Sequence, residues 1–262
     1  MDSERNSERA FFAVLALLFA ASTAVTISWC ASMSAMRGMP MPGGWTMSMA
    51  WMRMPGQTWA GAAASFLGMW VVMMAAMMLP SLVPALWRYR RAVGNTGEAR
   101  SGRLTALVGA GYFLVWIAFG VAVFPLGVAL AAVEMRLPAL ARAVPILLGV
   151  AVLIAGAFQF TALKARQLAC CRQAPRRIRT LAAHAGAAFR YGLRLGMHCA
   201  LCCAGLTGIL LVIGVMDLRA MAAVTAAITV ERLAPGGERA ARAIGVVVVA
   251  AGLFLIAQAA GL

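Results

Sequence analysis

The chain has 262 residues, 63% of them hydrophobic and only 12% charged, where soluble domains run at about 45–50% apolar and about 25% charged. That supply of polar groups cannot clothe a water-soluble globule. The net charge of +15 would suggest nucleic acid in a soluble protein. Here the Lys and Arg residues fill short segments between apolar runs, so a nucleic-acid partner is excluded and a single transmembrane domain over residues 1–262 is expected.

Helices are the only open structure that satisfies its own backbone in lipid, so each apolar run reads as a helix. The first span is expected over Ala10–Ala31 as a retained anchor, because Trp29 stands where a signal-peptide cleavage site would need small residues. Further spans follow over Trp59–Trp87, Leu104–Val133, Ala143–Leu163, Leu195–Met216 and Ala243–Ala260. Between the last two, Ala220–Val230 is so short that it is either a seventh span or re-entrant. The fold class is an all-α bundle of six or seven transmembrane helices.

Sixteen basic residues fall in 88–103, 164–194 and 232–242, and five fall in the opposite loops. The positive-inside rule then puts the amino terminus in the cytoplasm, makes 164–194 a basic cytoplasmic segment, and leaves 32–56 outside the cytoplasmic (inner) membrane.

The external segment 32–56 carries Met33, Met36, Met39, Met41, Met47, Met49, Met52 and Met54. Its prolines and glycines predict a loop. So many thioethers facing water do not suit core packing, methionine's usual employment. An interfacial anchor built from Met, Trp45 and Trp51 is one alternative. Cu(I) is the other, since soft thioether sulfur selects it and carries no proton that acid would have to displace. The principal candidates are Met47, Met49, Met52 and Met54, with Cys30 close by.

In the second span, Met69, Met73 and Met77 fall at i, i+4 and i+8 on one stripe, with Met74 and Met78 on its neighbour. Pro80 follows, where a kink is expected. This stripe is either an adaptable packing face or a metal path. The fifth span opens with His198, Cys199, Cys202 and Cys203, whose spacing crowds an imidazole and three thiols on one helical face. Such a donor set suits Cu(I), with Zn(II) as the alternative.

Two weaker features complete the candidates. Cys170 and Cys171 lie among Arg166, Arg172, Arg176 and Arg177, which fits a cytoplasmic metal or redox pair or two plain interfacial cysteines. Glu231 is an acid near the membrane interior and hence a functional candidate, although Arg232 beside it offers a simple ion pair.

The pattern W-x-x-M-x-x-A-M-M-x-P, here Trp70, Met73, Ala76, Met77, Met78 and Pro80, and the C-x-x-C-C of Cys199, Cys202 and Cys203 resemble an uncharacterised prokaryotic family of predicted metal-binding integral membrane proteins. The run Phe158–Lys164, followed by Cys170 and Arg172, and the pair Glu231-Arg232 are similar to that family as well. Ala204, Leu206 and Thr207 stand where many members have a Trp and a Leu-Met pair. The resemblance implies metal binding and no particular mechanism.

Together these features predict a membrane protein that acquires Cu(I) through Met and Cys ligands and transfers it across or within the bilayer. The alternative is a membrane copper chaperone or assembly factor that passes metal to a soluble copper chaperone or a cuproenzyme. An oxidoreductase is least favoured, because only His184 and His198 are present and no nucleophile with a paired base is visible. The chain is therefore not expected to be an enzyme.

Overall fold

The computed structural model describes residues 2–35, 38–93, 97–173 and 184–261. Its helices are α1 (Asp2–Ala35), α2 (Trp59–Ala92), α3 (Glu98–Arg136), α4 (Pro138–Phe158), α5 (Ala162–Gln173), α6 (Ala185–Ile213), α7 (Leu218–Leu233) and α8 (Gly237–Ala260). Six of them, α1, α2, α3, α4, α6 and α8, are long and apolar enough to cross a membrane. The protein is an all-α polytopic membrane protein. At 1.5 Å per residue α7 reaches about 24 Å, short of a hydrocarbon core roughly 30 Å thick.

Local chemistry sets the helix starts. Thr58 caps α2 by accepting from the Gly61 amide, and Pro138 opens α4 where no amide is needed. The His184 ring accepts from Ala187 N at the start of α6, and Asp217 caps α7 through the Arg219 and Ala220 amides. Pro80 and Pro84 lie inside α2, which continues through both.

Two glycine-lined contacts hold the bundle. A Cβ on Gly149 of α4 would stand 3.1 Å from the Gly252 carbonyl oxygen, and one on Gly252 of α8 would stand 3.0 Å from that of Gly149. On α6, a Cβ on Gly192 would strike the Val108 carbonyl of α3, and one on Gly196 would come within 2.8 Å of the Tyr112 carbonyl. Small residues let backbones approach in lipid, where no hydrophobic force drives helices together. The spacing from Gly192 to Gly196 thus serves packing within the chain. Leu17, Leu126, Leu130, Val247 and Phe254 point outward from the bundle.

Three segments differ from the sequence expectation. Residues 32–35 continue α1, and the rest of the supposed loop contains a hairpin of β1 (Met39–Met41) and β2 (Trp45–Met47), then a 3₁₀ turn at Met49–Trp51. Met39 pairs with Met47 and Met41 with Trp45, around Gly43 and Gly44 at φ 104° and 78°, backbone that glycine adopts without a Cβ clash. The Trp45 indole donates to the Ala141 carbonyl at 2.8 Å, and Trp51 packs on Phe66, which fixes the segment to α4 and α2. The expected fourth span ends early at Phe158, where a turn at Gln159–Thr161 leads into α5. The fifth starts ten residues early, at Ala185, because Tyr191 stacks on Tyr89 and Gly192 abuts Val108, burying a segment that reads as polar. Met36, and the basic stretch 174–183 within the expected cytoplasmic segment, lie outside the described residues.

Candidate metal centre

On α2, Met73, Met74, Met77 and Met78 are all buried at 2% exposure or less, so both methionine stripes face the interior. Ser81 continues the stripe one turn beyond Met77, and its hydroxyl accepts from Arg232 Nη1 at 2.9 Å. The same Nη1 lies 3.1 Å from Cys199 Sγ. The methionine stripe therefore runs into the cysteines through a serine and a buried guanidinium.

The cysteines form a linked series. Cys199 Sγ is 3.8 Å from Cys203 Sγ, Cys203 Sγ is 3.6 Å from Cys202 Sγ, and Cys171 of α5 donates to Cys202 at 4.0 Å. All four are buried. Sulfurs at the corners of a tetrahedron around a metal at about 2.3 Å would stand about 3.8 Å apart, so these separations are close to those of a thiolate site. Among the described residues no three His, Cys, Asp or Glu side chains yet enclose a common centre. The donors are adjacent rather than already folded round an ion.

Tyr112 of α3 donates its hydroxyl to Cys199 Sγ at 3.0 Å. With Arg232 on the same sulfur, two donors converge there, an environment complementary to negative charge. Cys171 differs. Its hydrogen bond to Cys202, then burial, push its thiol well above the ordinary value. Its partner in sequence, Cys170, is exposed and outside the series.

Glu231 does not pair with its neighbour Arg232. Its Oε2 lies 2.6 Å from Lys164 Nζ, and its Oε1 accepts from Gln159 at 2.9 Å. Lys164 also donates to the Cys202 carbonyl at 2.6 Å, which ties this buried ion pair to the thiol helix. An acid in lipid-embedded protein needs such a partner. Arg172 clasps the end of α7 through the carbonyls of Glu231 and Pro235. The Thr207 hydroxyl, one turn beyond Cys203, is buried without a hydrogen-bond partner.

His198 is half-buried and turned toward α5, with Nδ1 2.7 Å from Gln167 Oε1. In the hairpin segment, Met47 is 2% exposed and lies against the bundle. Met49, Met52 and Met54 instead line a cavity of about 330 Å³, together with Met69 at the head of the α2 stripe. Sequence reasoning missed Lys164, Tyr112, Gln159 and Ser81. Only the resemblance had touched the Phe158–Lys164 run.

Six long apolar helices with buried methionine and cysteine side chains between them define the class, a polytopic membrane protein. The chain matches the PpoB2 family, described as a copper chaperone, over residues 67–255, and it belongs to that family. No curated protein and no solved structure matches it.

Proposed function

We propose that this protein is a membrane copper chaperone that takes Cu(I) at the hairpin end, passes it along the α2 methionines, and holds it on the α6 cysteines for delivery to a cuproenzyme or a soluble copper carrier. The observation that carries this reading is the line of half-buried Met69 and buried Met73, Met77 and Ser81, closed onto Cys199 by Arg232. At about 6 Å per four residues, each thioether stands one turn from the next, an exchange distance that side-chain motion can bridge. Met78 and Met74 flank the line, and Cys202, Cys203 and Cys171 extend it.

Donor chemistry supports Cu(I) over Zn(II). The buried donors are sulfur, thioether on α2 and thiol on α6 and α5, and Glu231 is held by Lys164 and Gln159. Thiolate sets accept either ion, but thioether sulfur selects Cu(I), and Zn(II) takes thiolate, imidazole or carboxylate. The imbalance of basic residues supports a cytoplasmic-membrane placement with the hairpin outside and the amino terminus within. A non-enzymatic role is in keeping with His184 serving as a helix cap.

The test is anaerobic Cu(I) titration of purified full-length protein against a chromophoric chelator. Cys199→Ser/Cys202→Ser/Cys203→Ser should lose at least one equivalent of Cu(I); unchanged stoichiometry would remove the cysteines from the function. In liposomes, a chaperone loads a co-reconstituted cuproenzyme and accumulates no copper alone. Luminal accumulation without a partner would favour a transporter.

A further inference from the structure

The cavity at the hairpin end lies between α1, α2, the hairpin segment and the α6–α7 connection. Six of its thirteen lining residues are methionines, Met33, Met49, Met52, Met54, Met69 and Met216, in a chain where 18 of 262 residues are. They come from four separate stretches of sequence, so folding has gathered them. Cys30 stands directly behind, donating to Met216 Sδ at 3.8 Å.

We infer that this cavity is a second Cu(I) site, built from neutral thioethers and distinct from the α6 cysteines, at which the ion is first captured. The inference rests on the Cu(I) reading above and deepens it by naming Met33 and Met216 as ligands.

Packing does not account for the cavity. Methionine used as filler closes gaps, whereas these half-buried side chains border open space whose lining contains no Leu, Ile or Val. Nor does the lining contain Asp, Glu, His, Lys or Arg; its only hard side-chain donors are the neutral oxygens of Ser32, Gln57 and Ser65, without the carboxylate charge that divalent-cation sites use. Neutral soft donors suit a monovalent soft ion, and the rings of Trp29 and Phe66, also in the lining, add faces that attract a cation. Six sulfurs are more than a single Cu(I) ion coordinates at once, so the ion can move between sets. Met69 belongs both to this cavity and to the buried stripe, which makes it the point of departure inward.

The experiment uses full-length protein carrying Cys199→Ser/Cys202→Ser/Cys203→Ser, titrated with Cu(I) and with redox-inert Ag(I). This background should keep one equivalent, and keep it at about pH 5, because a thioether has no proton to lose. Adding Met33→Leu/Met216→Leu should weaken that binding at least tenfold, while Met135→Leu, at an exposed position of α3 outside the cavity lining, leaves it unchanged. Should the double substitution disturb folding, as read by circular dichroism and gel filtration, Met52→Leu/Met54→Leu serves in its place with the same expectation. No residual binding in the triple-serine background, or residual binding indifferent to both pairs, overturns the site. Failure of the cysteine substitutions to alter wild-type stoichiometry would instead count against the proposed function and leave the cavity standing.

Discussion

Lys164 and Glu231, 67 residues apart, meet at 2.6 Å with both side chains at 2% exposure or less, and so join α5 to α7 inside the bundle. Removing one partner of such a pair strands the other charge in a medium that cannot solvate it. Lys164→Met should therefore lower stability by about 3–5 kcal/mol, and the double change Lys164→Met/Glu231→Leu should recover most of the loss. Thermal unfolding in detergent reads both; an equal loss in single and double variants would show that the charge itself is immaterial.

The α3–α6 seam predicts a contrast between two glycines on one helix. A side chain at Gly192 has no room beside the Val108 carbonyl, while a Cβ on Gly208 meets nothing within 4 Å. Gly192→Val should cost about 1–3 kcal/mol or more through overpacking, and Gly208→Ala should be neutral or slightly stabilising. Unfolding midpoints measured in the same detergent would compare them.

Thiol accessibility should divide the six cysteines unevenly. Cys170 is exposed, whereas Cys30, Cys171, Cys199, Cys202 and Cys203 are buried. A maleimide reagent should modify one cysteine rapidly in native protein and all six after denaturation. Mass spectrometry that found Cys171 modified as fast as Cys170 would contradict the packing of α5 on α6.

Tyr112 touches the cysteine series through one hydrogen bond, so Tyr112→Phe isolates that contact. Hydrogen bonds to charged groups contribute about 1.5–3 kcal/mol, and a Cu(I)-bound sulfur carries negative charge. The variant should bind Cu(I) roughly tenfold or more weakly with its stoichiometry intact. Unaltered affinity would mean that the hydroxyl merely fills space beside Cys199.

Run length alone made the spans legible, because an apolar stretch that long has few alternatives. What the sequence concealed was local. The polar-looking start of α6, with Arg190 and Arg194, is helical since its small and aromatic residues pack on α3 and α2 while the arginines stay at the bundle's basic end. The hairpin was hidden because three-residue strands leave almost no periodicity. Cysteine spacing on α6 was readable, yet the approach of Cys171 depends on the turn at Gln159–Thr161 that ends α4 and lets α5 pack on α6. The pairing of Glu231 with Lys164 rather than Arg232 is likewise a product of tertiary structure. Adjacent side chains on a helix point about 100° apart, and here that angle sends one toward α5 and the other toward α2.

Helix α7 begins just past Met216 at the cavity and ends at Glu231 and Arg232 beside the cysteines. One stiff rod thus has its two tips seated in different sulfur sets, and Arg172 grips its lower tip. Neither tip can slide along the rod's axis without carrying the other. The spacing between the methionine-lined cavity and the cysteines is therefore set by the length of a single helix.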